Sequence, residues 1–288
     1  VGRSRLLLMV LLTLLLAGCA GRALRVGDRQ VLLHEAMVEE VKGSRLVFVG
    51  EVHTDQGHHD LQLQVLRAMH DAGGEVAVAL EMFSRRSQPH LDAWRDGALP
   101  EEAFAELYRL EWRNTPYELY AAIFRYARDR GIRLVGLNVP REIVQKVAGS
   151  GFSSLTEGEL AQLPTGIRCD VTPEFRRTMQ QVFTLFHGGE RSLDNFCEAQ
   201  MLRNSGMAMT LAEVMERDPA LRVLVLVGGG HAVRQGGIPE LLPPTLRRQS
   251  RVIIPAINGI TADNVTAEHG DYLLLGGHSP LLDYLAGY

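Results

Sequence analysis

Cysteine is scarce in this chain: three residues in 288, at Cys19, Cys169 and Cys197, with no Cys-x-x-Cys pair among them. That excludes a small disulfide-stapled scaffold and a cysteine-rich zinc module. An excess of positive charge is also missing. Lys and Arg number 30 against 34 Asp and Glu, for a formal net charge of −4, so there is no basic footprint for nucleic acid. No internal repeat or low-complexity tract follows Cys19, which argues against a solenoid or a disordered linker. Long apolar runs are lacking too, apart from Leu6 to Leu16. That run is shorter than the roughly 20 residues a membrane-spanning helix needs. What remains is ordinary globular composition, 46% hydrophobic and 22% charged.

The N-terminal stretch has its own logic. Arg3 and Arg5 precede the apolar run, and small residues follow it, which is the pattern of a secretory signal over residues 1–18. Leu16-Ala17-Gly18-Cys19 resembles a bacterial lipobox, in which the cysteine is lipidated and becomes the mature N-terminus. Ala20, rather than an acidic residue, follows and favours delivery to the outer membrane. The expectation is a lipid-anchored protein of the bacterial cell envelope, with residues 19–288 as one domain. In that compartment Cys169 and Cys197 can form a bridge or remain two buried thiols; spacing alone does not choose.

Apolar runs at Leu46–Gly50, Val76–Leu80, Arg133–Leu137, Val223–Val227 and Val252–Ala256 read as strands buried on both faces. Helical patterns occupy Leu33–Lys42, His58–Asp71, Pro116–Arg130 and Ala199–Arg217, with Thr54 or Asp55 available as a cap for the second. Alternation of the two predicts an α/β fold, a mainly parallel central sheet flanked by helices. Two long spans, about 84–115 and 150–198, exceed a minimal sheet unit and are expected to form a helical cap.

Ligands of parallel sheets gather at the carboxyl ends of the strands. The first expected strand releases Glu51 and His53 after Gly50, and the second releases Glu81. The third releases Asn138 and Arg141, and the fourth His231 after Gly228, Gly229 and Gly230. Polar groups directly behind buried strands are informative, because such residues otherwise avoid burial. Glycine permits a sharp exit from the sheet and close approach of a ligand. The repeated Gly-x-x-His device therefore predicts one pocket lined by Gly50, Glu51, His53, Glu81, Asn138, Arg141, Gly228 and His231, with His58 reaching toward it from the next helix. Singly, each histidine is more simply a structural residue, and Glu81 could pair with Arg141. Jointly, imidazoles and carboxylates suit a general base or a divalent metal held by His53, Glu81 and His231. Trp94, Trp112, Tyr117 and Tyr120 are most simply packing residues of the cap, and the methionines from Met201 to Met215 core.

The segments GEVHTDQGHHDLQLQVL, ALEMF, PYELYAAIFRYARDRGIRLVGLNVPRE, QMLRNSGMAMTLAEVM and VGGGHAVRQGGIPELL together resemble the ChaN-like haem-binding lipoproteins. These share a superfamily with Tiki/TraB proteins and erythromycin esterases, marked by paired Gly-x-x-His motifs and a glutamate. The resemblance runs from about Leu46 to Leu242 and maps the motifs onto Gly50 and His53, Glu81, and Gly228 and His231. It implies haem bound at a homodimer interface with a tyrosine as axial ligand, in haem and iron uptake. Phe175 stands where such relatives tend to carry tyrosine, which leaves Tyr120 and His187 as candidate ligands. The relatives that hydrolyse supply the alternative, a metal-dependent hydrolase acting through Glu51, His53, Glu81 and His231. A purely interacting lipoprotein would leave those polar strand ends without a task.

Overall fold

The structure is a computed structural model and describes residues 21–113, 115–186 and 192–276. Eight strands form one sheet: β1 Arg22–Arg25, β2 Val31–Leu33, β3 Leu46–Glu51, β4 Val76–Ser84, β5 Arg133–Asn138, β6 Arg222–Gly228, β7 Ser250–Ile254 and β8 Tyr272–Leu275. Their spatial order is β2-β1-β8-β7-β3-β6-β4-β5. From β8 to β5 all neighbours run parallel, and the β1–β2 hairpin closes the other side antiparallel. The α/β fold with a mostly parallel sheet agrees with the expectation from sequence. The hairpin and β8 carry no such signal, being three or four residues long.

Side chains alternate across a strand, and here both faces are buried. Val47 and Val49 of β3 join Val78, Leu80, Leu224 and Leu226 in one core, under α1 His34–Val41, α2 Gln56–Asp71 and α5 Glu118–Asp129. Leu46 and Phe48 join Ala77, Ala79, Val223 and Val225 in the other, against α9 Leu193–Arg217. The alanines of β4 let Met207, Ala208 and Leu211 of that long helix lie close to the sheet. Asp55 caps α2, accepting from the N–H of Gly57 at 2.7 Å and of His58 at 3.2 Å.

The span 84–115 contains α3 Gln88–Arg95 and α4 Glu101–Glu111, and these complete the first face. Trp94 stacks on Phe104 at 4.3 Å, and Phe83, Tyr108, Tyr117, Tyr120 and Phe124 enclose the pair in a continuous aromatic layer. The span 150–198 holds α7 Glu157–Leu160, tied to α6 Arg141–Ser150 by the ion pair of Glu159 with Lys146 at 2.7 Å, and α8 Pro173–Phe186; α6 and α8 pack with α9 in two smaller apolar clusters. Cys169 and Cys197 lie in one of these as free thiols, with Cys169 donating to the carbonyl of Glu198 at 3.1 Å. Phe175 is buried in the same cluster. β4 runs four residues beyond its apolar run, so Glu81 lies within the strand rather than after it. Its register against β5 shifts between Leu80 and Ser84, an irregularity of the kind that re-aims a side chain.

Candidate functional site

The site is set by three adjacent strands. β6 lies between β3 and β4, and Glu51 of β3 is the register partner of Gly228 of β6. The two Gly-x-x-His turns therefore leave the sheet side by side. Gly50 has no side chain because α10, Gly229–Ala232, crosses over it: a Cβ there would stand 2.9 Å from the Cβ of Ala232 and 3.0 Å from the Cα of Gly229. Gly228 is bare because the imidazole of His53 lies on it, where a Cβ would stand 2.9 Å from Cε1. In this way the second motif's glycine makes room for the first motif's histidine.

Two carboxylates anchor two halves of the site. Glu51 is buried and receives His53 Nδ1 at 2.7 Å, Gln62 Nε2 at 2.5 Å, His59 Nδ1 at 3.4 Å and a hydrogen bond from the Tyr120 hydroxyl. Burial disfavours its charge, but the hydrogen bonds and charges of His53 and His59 outweigh that and hold its carboxyl well below the usual range. His59 is fixed in turn by the carbonyl of His53 at 3.0 Å. Burial lowers and the Glu51 hydrogen bond raises the pKa values of His53 and His59, with a net rise in both.

Glu81, also buried, accepts from the N–H of Gly228 at 2.5 Å and from Arg203, and faces His231 Nε2 at 3.5 Å. Against the cost of burial, the charges of Arg203 and His53 and the hydrogen bond from the Gly228 N–H hold its carboxyl below the usual range. His231 Nδ1 meets Asn204 Oδ1 at 2.5 Å. Burial, assisted by the charges of Arg203 and His53, overrides the attraction of Glu81 and pushes His231 down to about 4. At neutral pH His231 is therefore uncharged, and the ionisation of Glu81 leans on Arg203 and the Gly228 N–H.

The structure thus brings Gly50, Glu51, His53, Glu81, Gly228 and His231 together. Other expected residues differ. Asn138 supports the site from behind, donating to the Glu81 carbonyl at 2.9 Å and accepting from the N–H of Val139 at 3.0 Å. His58 is buried rather than facing a ligand; its Nδ1 accepts from the N–H of Val52 at 3.0 Å and shapes the β3 exit. Arg141 makes no hydrogen bond to Glu81 among the described residues, because Arg203 fills that place. Tyr120 does not present an axial ligand: it is fully buried, its hydroxyl is given to Glu51, and its pKa lies far above the phenol range through burial and the Glu51 charge. His187 and Cys19 lie outside the described residues.

The expected metal set of His53, Glu81 and His231 is not assembled. Among the described residues no three His, Cys, Asp or Glu side chains are grouped to hold a metal ion. The reason is local: the Glu81 oxygens already serve a guanidinium and a backbone N–H, and a bound cation would have to stand beside Arg203.

His59, Gln62, Arg203 and Asn204 were missed from sequence. The signal for the first two is their i, i+3 spacing on α2; for the others it is a polar pair inside an apolar, methionine-rich helix. Trp112, expected in packing, also borders the site, its ring edge-on to His53 at 5.0 Å and its Nε1 buried without a partner among the described residues.

Residues 37–242 match the family described as haem-binding uptake, Tiki superfamily, ChaN. The chain belongs to this family. Among solved structures, that of ChaN of Campylobacter jejuni with cofacial haem is similar, with a TM-score of 0.67 and 19% identity over 89% of this chain and 97% of that one. The type III effector HopBA1 is similar with a TM-score of 0.53 and 14% identity, covering 85% and 94% of the two chains. An erythromycin esterase, EreC, aligns with a TM-score of 0.49 and 14% identity over 77% and 72%. No curated protein matches the chain. In this member of the haem-binding uptake family, the two motif turns and the glutamate of β4 converge at one place on the sheet edge. Haem is the ligand to which the family points.

Proposed function

We propose that this chain is an exported, lipid-anchored haem-binding protein of haem or iron uptake, tethered through Cys19 to the outer membrane and binding haem between two copies. The observation that carries the reading is the family match over residues 37–242. The cofacial haem named for the Campylobacter protein supports the dimeric arrangement. The donor chemistry narrows the ligand within this chain. Tyr120 does not fit an iron, since reaching it would mean breaking its hydrogen bond to a buried carboxylate. His53 fits better. Its Nδ1 is bound to Glu51, which leaves Nε2 as the ring nitrogen for a ligand, and its side chain keeps 21% of its surface exposed. A carboxylate behind an imidazole fixes the tautomer and raises the basicity of the ligating nitrogen. Haem, when bound, supplies the iron and the apolar macrocycle; Glu51, Gln62 and His59 hold the imidazole in place.

The test is titration of the purified protein with haemin, followed in the Soret band and by mass. Saturable binding with growth of a dimer peak is expected. A flat titration at micromolar haemin would overturn the reading.

One observation favours a second reading, hydrolysis. Two imidazole–carboxylate pairs on neighbouring strands are driven to opposite protonation states, His53 toward the cation and His231 toward the neutral base, which is the division of labour of acid–base catalysis. In that role Glu51 and Glu81 orient the two rings, and a divalent ion enters only if Arg203 moves from Glu81. Turnover of ester or peptide substrates that vanishes in both His53→Ala and His231→Ala would support it.

A further inference from the structure

The first strand, β1, begins at the sheet edge that carries the site. Arg25, Tyr272, Ile253 and Val49 form one row of register partners across β1, β8, β7 and β3. β1 is antiparallel to β8, so Arg22, three residues earlier, stands level with Val52, between Glu51 and His53. Three strand spacings separate β1 from β3, about 14 Å. Gly21 is already pinned to the fold, its carbonyl accepting from the N–H of His34 at 2.9 Å. Only Ala20 stands between that pinned residue and Cys19. Three residues of chain reach roughly 10 Å at most, too little for an anchor at Cys19 to turn the opposite end of the strands toward a bilayer.

The surface at this edge suits such contact. Leu33, the register partner of Arg22, is 49% exposed, and Leu110 is 60% exposed. Leu110 lies at the carboxyl end of the strands, because its neighbour Glu111 accepts from Ser87 at 2.5 Å and from Ser84, the last residue of β4, at 3.1 Å. Exposed Arg109 and Arg113 flank it, and half-buried Trp112 joins it to the ring of His53. Apolar side chains with arginines beside them are the composition of a surface that rests among phospholipid headgroups.

We propose that the site edge faces the membrane, with Leu33, Leu110 and Trp112 at the headgroup layer, so that the site at the ends of β3, β6 and β4 meets its ligand from the lipid side rather than from open solvent. This rests on the lipid anchor proposed above. The chain has two tryptophans, and Trp94 is fully buried, so Trp112 is a built-in reporter. The mature protein carrying Cys169→Ser and Cys197→Ala is coupled through Cys19 to maleimide-bearing lipid. The vesicles are of phosphatidylethanolamine and phosphatidylglycerol with headgroup spin labels. Trp94→Phe protein is expected to lose most of its emission on these vesicles, and Trp112→Phe protein to keep its own. A ten-residue glycine-serine insertion between Ala20 and Gly21 should restore the Trp112 signal by freeing the edge. Trp112 emission equal in vesicles and in solution would overturn the proposal, as would an equal loss of emission from the Trp112→Phe protein, whose remaining Trp94 is buried. Absence of acyl label on Cys19 in cells would instead remove the anchor itself, a failure the synthetic tether keeps separate from the orientation.

Discussion

Replacing His231 by Gln should make the protein less sensitive to mild acid. The folded pKa of His231 is pushed from 6.5 down to about 4, first by burial and then by Arg203 and His53, and its side chain is only 12% exposed. Between those two values the unfolded chain binds a proton that the folded chain refuses. Stability therefore rises with pH across that window and levels off above it. At roughly 1.4 kcal/mol per unit, the loss from pH 6.5 to 5 amounts to about 2 kcal/mol. Glutamine keeps a donor for Asn204 and has no titration. The assay is urea unfolding at several pH values from 5 to 7 in chelator-containing buffer, with the two curves subtracted. His34, whose pKa is also lowered by burial, acts in the same direction in both proteins and cancels. The raised values of His53 and His59 add stability that is complete below 6.5 and lost as pH climbs through them, so they act outside the window. A wild-type minus variant difference that stays constant from pH 5 to 6.5 would refute the idea that His231 is held neutral by burial.

Gly228→Ala should cost about 1–3 kcal/mol in urea unfolding, since its Cβ would push the His53 ring, and should weaken haemin binding in the same sample; unchanged binding would count against His53 as the ligand. Glu81→Gln should destabilise by about 3–5 kcal/mol, because it leaves Arg203 at a buried site without its counter-charge. An unfolding midpoint equal to wild type would mean that Arg203 finds another partner. Tyr120→Phe removes a hydrogen bond to an ionised carboxylate, about 1.5–3 kcal/mol, while leaving the Soret band of the haemin complex in place; loss of that band would restore Tyr120 as the iron ligand.

The strands that position the site were legible because burial on both faces leaves a near-continuous apolar run, as in LVFVG and RVLVLVG, and the polar residue that ends such a run must stand at the edge. Their adjacency was not. Chain order places β4 and β5 between β3 and β6, and only the winding order makes Glu51 and Gly228 partners. The hairpin and β8 escaped for the opposite reason, being too short to show a period.

The helix-borne partners mark the deeper limit. A residue that ends a strand is placed by its own neighbours in sequence, so Glu51, His53 and His231 announce themselves locally. Arg203 and Asn204 are placed by the rotation of α9 against the sheet, and that rotation follows from Met207, Ala208 and Leu211 meeting Ala77 and Ala79 across the second core. Tyr120 shows the same dependence with a different result: one face of α5 sends its ring into the aromatic layer and its hydroxyl to Glu51, 69 residues earlier. From sequence it was a tyrosine available to iron; packed, it completes the shell of a carboxylate. Glu51 and Glu81 each draw a strand-end histidine and helix-borne donors, but the two halves differ in how the histidine is held. His53 bonds Glu51 directly at 2.7 Å, which outweighs its burial and drives it toward the cation; His231 stands 3.5 Å from Glu81, and burial, assisted by the charges of Arg203 and His53, drives it toward the neutral ring.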